Sequence, residues 1–175
     1  EKDLARNDEV DELRLAAVSD LLSGRNDVVI VSSVSCIYGM GAPVAMQENI
    51  IKVKRGQTLD RNEFLRKLVS SLYVRNDIDL QRGCFSVKGD TVTIAMAYSD
   101  SLLRVTWWDD EIDSINEVDA VTMHTIQSFA EYDLYPANLF VTSKEQTDNA
   151  IRMIQDDLMK QETYFHEIGD DIKAQ

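Results

Sequence analysis

The sequence predicts an α+β fold: an antiparallel β-sheet and hairpin module with packed helices, attached to a partial α/β stub. Three observations carry this. Apolar residues recur at helical spacing near the start, a continuous apolar run of strand length follows them, and from Arg82 to Glu117 the hydrophobic period shifts to two. Helix, strand, helix, several antiparallel strands and a last helix is an α+β order, not a regular α/β alternation.

The elements follow in chain order. Over Asp8–Ser23, Val10, Leu13, Ala17 and Leu21 predict one helix stripe, and Gly24 stands where a helix stops. Asp27–Val34 (DVVIVSSV) is β-branched and continuously apolar, as in a strand covered on both faces. Tyr38–Pro43 holds two glycines and a proline and reads as a loop, with a short helix from Pro43 to about Asn49. Ile50–Arg55 alternates apolar and basic residues, a strand with one wet face. Asp60 and Glu63 form a helix-capping pair with Leu59 as a staple. Phe64, Leu65, Leu68, Val69 and Leu72 supply the buried stripe of that helix, leaving Arg61, Arg66 and Lys67 at the wet side. Phe85–Val87 and Thr91–Met96 flank Lys88-Gly89-Asp90 as a hairpin, with Gly89 supplying positive φ. Leu103–Trp108 and Ile112–Val118 form a second pair around Asp109-Asp110. Val121–Ser128 and Leu139–Thr142 are read as shorter strands. Thr142 with Glu145 opens a helix whose apolar face is Ala150, Ile151, Ile154 and Leu158. Gln161–Gln175 is weakly patterned and reads as a frayed end.

A chain of 175 residues can bury one good core, and 44% hydrophobic with 28% charged residues is a globular composition. No apolar run is long enough for a membrane helix, and the opening EKDLARNDEVDE lacks the apolar centre of a secretory signal. The missing initiator Met is expected of a piece of a longer protein. Two cysteines, Cys36 and Cys84, are too few for a stapled secreted scaffold, so free thiols in a reducing cytoplasm are expected. A net charge of −13 opposes sequence-independent binding of naked nucleic acid. Between Ile50 and Lys88, however, nine Lys/Arg face four acids, a local net of +5 that suits an acidic partner.

The residues offer little chemistry of their own. His124 and His166 stand apart and neither cysteine has a CxxC partner, so no metal site is expected. No GxxxxGK[ST] string provides a phosphate loop. Cys36 with His124 is the one formal nucleophile–base pair and defines a small-hydrolase alternative. Asp109-Asp110-Glu111 reads as a solvated turn. Trp107 and Trp108 point to opposite sides of a strand: one belongs in the core, and the other is a candidate protein contact or a stacking platform for single-stranded nucleic acid.

Several strings resemble one family in order along the whole chain. Val31–Gly41 (VSSVSCIYGMG), Arg75–Asp79 with Arg82-Gly83 (RNDID, RG) and Phe85–Asp90 (FSVKGD) are similar to the UvrB family. So are Asn7–Arg14, Asp110–Ile112, Tyr135-Pro136-Ala137 and Tyr164–Gly169. The transcription-repair coupling factor carries a related module, but SCIYG and RNDID look more like UvrB. The resemblance implies three segments: 1–42 as part of a helicase-like first motor domain, 43–142 as the domain that docks on UvrA, and 143–175 as a helix and linker returning to the motor.

It also implies a role in nucleotide excision repair, in which UvrB docks on UvrA so that damaged DNA is loaded and checked before incision. No catalytic residue, metal or cofactor is expected in this chain. ATP and Mg belong to the longer parent, as do contacts with damaged DNA and the nuclease subunit UvrC. The family's UvrA-docking arginines fall on Arg75, Ser86 and Lys88. Lys88 keeps the charge without the bidentate fork; Ser86 loses it, and Arg82 or the basic strand Lys52–Arg55 is expected to compensate. Lys2 and Arg14 align near the family's DNA path. A cytoplasmic location with no membrane contact is implied.

Overall fold

The computed structural model describes residues 8–37, 43–139 and 144–174. They fall in two compact units, Glu1–Val141 and Thr142–Gln175.

The first unit holds eight strands among its described residues: β1 (Ile51–Lys54), β2 (Val74–Arg75), β3 (Cys84–Lys88), β4 (Thr91–Ala95), β5 (Leu102–Trp108), β6 (Glu111–Val118), β7 (Thr125–Ser128) and β8 (Glu131–Leu134). β2 to β7 form a six-stranded sheet in sequence order, and β1 pairs with β8 in a two-stranded one. Every pairing is antiparallel except the short β2–β3 contact, which is parallel. Both tight hairpins close with two residues: Lys88 faces Thr91, and Trp108 faces Glu111. Gly89 and Asp109 accordingly adopt positive φ, 59° and 58°.

Period-two alternation places Phe85, Val92, Ile94, Val105 and Ile115 on one face of the large sheet, where they are buried. Helix α3 (Arg61–Ser70) and the β1–β8 pair cover that face, contributing Phe64, Leu68, Ile51, Val53 and Leu134 to the same core. Trp107 is the buried tryptophan: its ring lies 5.1 Å from Phe64, and its indole Nε1 donates to the Leu59 carbonyl at 2.8 Å. Asp60 caps α3 as expected, its carboxylate accepting from the Glu63 amide at 2.9 Å. Val69 and Leu72 are exposed, contrary to the stripe drawn from the sequence. Leu72 lies beyond the helix end at φ 67°, and Val69 is one position round from buried Leu68. Arg61 reaches across to the β3–β4 turn, donating to the Gly89 carbonyl and pairing with Asp90 at 3.1 Å.

The segment 8–37 departs most from expectation. Helix α1 (Asp8–Leu22) forms, but it buries Leu15 and Val18 against Met46 of α2 (Pro43–Glu48), Ala97 and Leu139. The stripe drawn from the sequence is the open one, with Val10, Leu13 and Leu21 exposed. Apolar residues lie on both sides of α1, so spacing alone could not choose the face. No strand forms over Asp27–Val34; residues 28–33 are irregular and Val34–Ile37 is a 3₁₀ turn. Val29 and Val31 are almost fully exposed. A strand meant to be covered on both faces needs neighbouring strands, and no described strand pairs with this run. The helix of the expected α/β stub is therefore present without its strand. Residues 38–42 of the expected loop and residues 140–142 of the expected Leu139–Thr142 strand lie outside the described residues; Leu139 is in a turn.

In the second unit α4 (Lys144–Glu167) runs well past Gln161, where fraying was expected, and α5 (Asp171–Ala174) follows it. No Gly or Pro interrupts residues 144–168. Gly169 then ends the helix at φ 74°, with the Asp170 amide donating back to the Phe165 carbonyl at 2.9 Å. Ile151, Ile154 and Leu158 share a stripe as predicted and are exposed. No described helix is long and apolar enough to cross a membrane.

Candidate functional site

The second face of the six-stranded sheet is not covered by α3 or the β1–β8 pair. Strand register lays two polar rows across it. Ser86, Thr93, Arg104, Asn116 and Ser128 stand side by side on successive strands, and Lys88, Thr91, Thr106 and Ser114 form the next row. Between the rows and two flanking loops lies a groove of about 480 Å³, lined among others by Asp77, Ile78, Ser86, Lys88, Arg104 and Met123.

One flank is the loop after β2. The Asn76 amide donates to the Phe85 carbonyl at 2.8 Å, and its side-chain oxygen accepts from the amides of Ile78 (3.1 Å) and Asp79 (3.0 Å). This is an Asx turn, and it fixes the loop locally. Asp77 staples the loop to β3, accepting from the Val87 amide at 2.8 Å and from Arg75 Nε at 3.0 Å. The Val87 amide, then Arg75 and nearby Lys88, hold the Asp77 carboxyl below its usual range. The other flank is the loop between β6 and β7. Here the Asp119 carboxylate accepts from the amides of Val121 (3.1 Å) and Thr122 (2.6 Å) and from the Thr122 hydroxyl at 2.8 Å. The Thr122 bonds are the main reason its pKa is lowered.

The residues singled out from the sequence fall in different places. Ser86 and Lys88 line the groove with Asp77, Ser86 buried on its floor at 7% exposure and Lys88 stabilising the Asp77 charge, while Arg75, in register with inward-facing Phe85, binds Asp77 from the edge strand β2. Arg82 is elsewhere, ion-paired to Glu12 of α1 and to Asp100, beside a separate groove that also takes in Arg14. Arg14 donates to the Cys36 carbonyl at 3.1 Å. Lys2 lies outside the described residues. Lys52 and Lys54 point outward from β1, in the layer that covers the inner face, and Lys52 pairs with Asp133 at 3.7 Å.

Cys36 has Ser33 as its side-chain neighbour, at 3.6 Å, and His124 is exposed in the β6–β7 loop. Among the described residues no three His, Cys, Asp or Glu side chains gather as for a metal ion. Trp108 is 79% exposed, but its surroundings are Asp109, Asp110, Glu111 and Asp113, a field that repels a phosphate backbone.

Sequence reasoning missed three residues of this face: Arg104, Ile78 and Met123. Arg104 was legible in principle. It occupies the outward phase of Leu102–Trp108, and register seats it opposite Thr93, two strands from Ser86. The guanidinium is half-buried and has no hydrogen-bond or ion-pair partner among the described residues. A cation therefore stands in the same cross-strand row as Ser86.

Residues 51–140 match the family described as the UvrB interaction domain. The chain belongs to the UvrB interaction domain family. It is 64% identical to the UvrABC system protein B of Bacteroides thetaiotaomicron over 174 residues, which cover 99% of this chain and 26% of that protein. Identity is 47% to the Cytophaga hutchinsonii protein of the same name, over 94% of this chain and 24% of that one. The Bacillus subtilis protein is 44% identical over the full chain and 26% of its own length. The chain thus spans about a quarter of the curated relatives it matches. The family match begins at β1 and runs through all eight strands, so the groove and both flanking loops lie within the UvrB interaction domain.

Proposed function

We propose that this chain is the part of a nucleotide excision repair protein that docks on UvrA, and that the open face of its six-stranded sheet makes the contact. One observation carries the reading: Lys88 and Arg104 line one groove on the open face of the sheet, with Arg75 bound to Asp77 at its rim, in a chain whose net charge is −13. The one acid among them, Asp77, is already bound by Arg75 and the Val87 amide. A locally basic face on an acidic protein steers and orients an acidic partner surface.

Arg104 supplies the charge that Ser86 lacks, and Arg82 acts within the chain by tying α1 to the loop before β5. In the longer parent, ATP with Mg and damaged DNA are handled by other segments, UvrC joins after loading, and the whole works in the cytoplasm. This chain itself neither hydrolyses ATP nor cleaves DNA. The test is a UvrA titration of the parent protein carrying Arg75→Glu and Lys88→Glu together. A loss of at least about tenfold in affinity, with an unchanged melting transition, supports the reading; unchanged affinity rejects it.

A further inference from the structure

Ile78 and Met123 belong to none of the buried hydrophobic clusters. Ile78 is 99% exposed, and Met123 is exposed while sitting at φ 59°, a conformation unfavourable for any residue but glycine. Lone exposed apolar residues are common and need no explanation. These two differ because each is carried by a loop whose backbone is fixed by side-chain acceptors. Asn76 and Asp77 hold the first, and Asp119 holds the second. Both face the same groove, whose floor carries Lys88 and Arg104.

We propose that Ile78 and Met123 are paired apolar anchors, and that they clasp an acidic segment of the docking partner that carries an apolar side chain. The inference rests on the UvrA-docking reading and adds the chemistry of what enters the groove. Charge complementarity selects the occupant. Lys88 and Arg104 present positive charge between the anchors, and the groove's own carboxylate is already engaged. Fixed loops lower the ordering cost of binding, so apolar contacts made at their tips translate efficiently into affinity. An apolar pair flanking a charged floor also matches how interface energy concentrates in a few side chains.

The experiment titrates UvrA against the full-length parent and its Ile78→Ser, Met123→Ser, Asn76→Ala and Lys88→Glu variants, at low and high salt. Ile78→Ser and Met123→Ser are each expected to weaken binding at least about tenfold while leaving its salt dependence as in the parent. Lys88→Glu is expected to weaken binding and flatten the salt dependence. Asn76→Ala leaves Ile78 in place but frees its loop, and is expected to weaken binding too. Ile78 is on the surface, so its variant keeps the parent's melting transition. If Ile78→Ser and Met123→Ser stay within about twofold of the parent while Lys88→Glu weakens binding, the anchors are overturned and docking stands. If no variant weakens binding, the docking reading itself falls. If Asn76→Ala alone is silent, exposure rather than a fixed loop is what matters, and that part of the proposal is overturned.

Discussion

The two faces of the six-stranded sheet are made by the same strands and do opposite work. Inward-facing Val92, Ile94, Val105 and Ile115 lock against Phe64 and Leu68 and are shielded from water. Outward-facing Ser86, Thr93 and Arg104 alternate with inward-facing residues of the same strands and line an open groove. The large core lies on one face; the other carries the proposed docking groove beside a small buried cluster of Ala95, Leu102 and Val118. Because side chains alternate at every residue, each can change without disturbing its opposite.

Substitutions that respect this division should separate folding from binding, and the largest effect belongs to the inner face. Phe64→Ala removes a fully buried ring from beneath Trp107 and should cost about 3–5 kcal/mol in denaturant unfolding, with UvrA binding lost only where the fold is lost. Alkaline pH acts on the same core. Burial raises the pKa of Tyr73 well above its ordinary value, as it does for Tyr98 and Tyr132. The unfolded chain thus releases protons near pH 10 that the folded chain keeps. By linkage, stability is fully present below that pH and falls as pH rises through it. Chemical melts between pH 8 and about 11 check this; a flat profile would deny that these hydroxyls are sealed. Trp107→Phe keeps most of the packing but leaves the Leu59 carbonyl without its donor, for about 1–3 kcal/mol. The smallest effect lies outside: Arg104→Glu should shift stability by less than about 0.5 kcal/mol and yet weaken UvrA binding. A core-sized loss of stability from Arg104→Glu would break the comparison.

The module was legible where local rules suffice. The Asp60 cap, the Gly89 turn, the paired strands on either side of Asp109-Asp110 and the wet-faced β1 all follow from spacing and turn chemistry, and the structure contains each of them. What stayed hidden needed partners. DVVIVSSV has the content of a buried strand, but strand formation is decided by a neighbouring edge that these residues do not supply. α1 has apolar residues on two sides, and its choice of Leu15 and Val18 depends on Met46 and Leu139, distant in sequence. β2, two residues long, is too short to show a period. The proposed site was half legible: Ser86, Lys88 and the rim residue Arg75 came from motifs, whereas Arg104 came from register. Ile78 and Met123 came from loops whose fixing acceptors act two or three residues away. Arg82 sits within the RNDID–RG motif beside Arg75, but its partners, Glu12 and Asp100, are visible only in three dimensions.

Amide hydrogen exchange of the parent protein, with and without UvrA, tests the central claim most directly. Slowed exchange is predicted in the loops at 76–80 and 119–124 and along the β3 edge between them, with little change in α1 or β1. Protection centred on α1 or on Lys52–Arg55, with both loops exchanging as in the unbound protein, would contradict it.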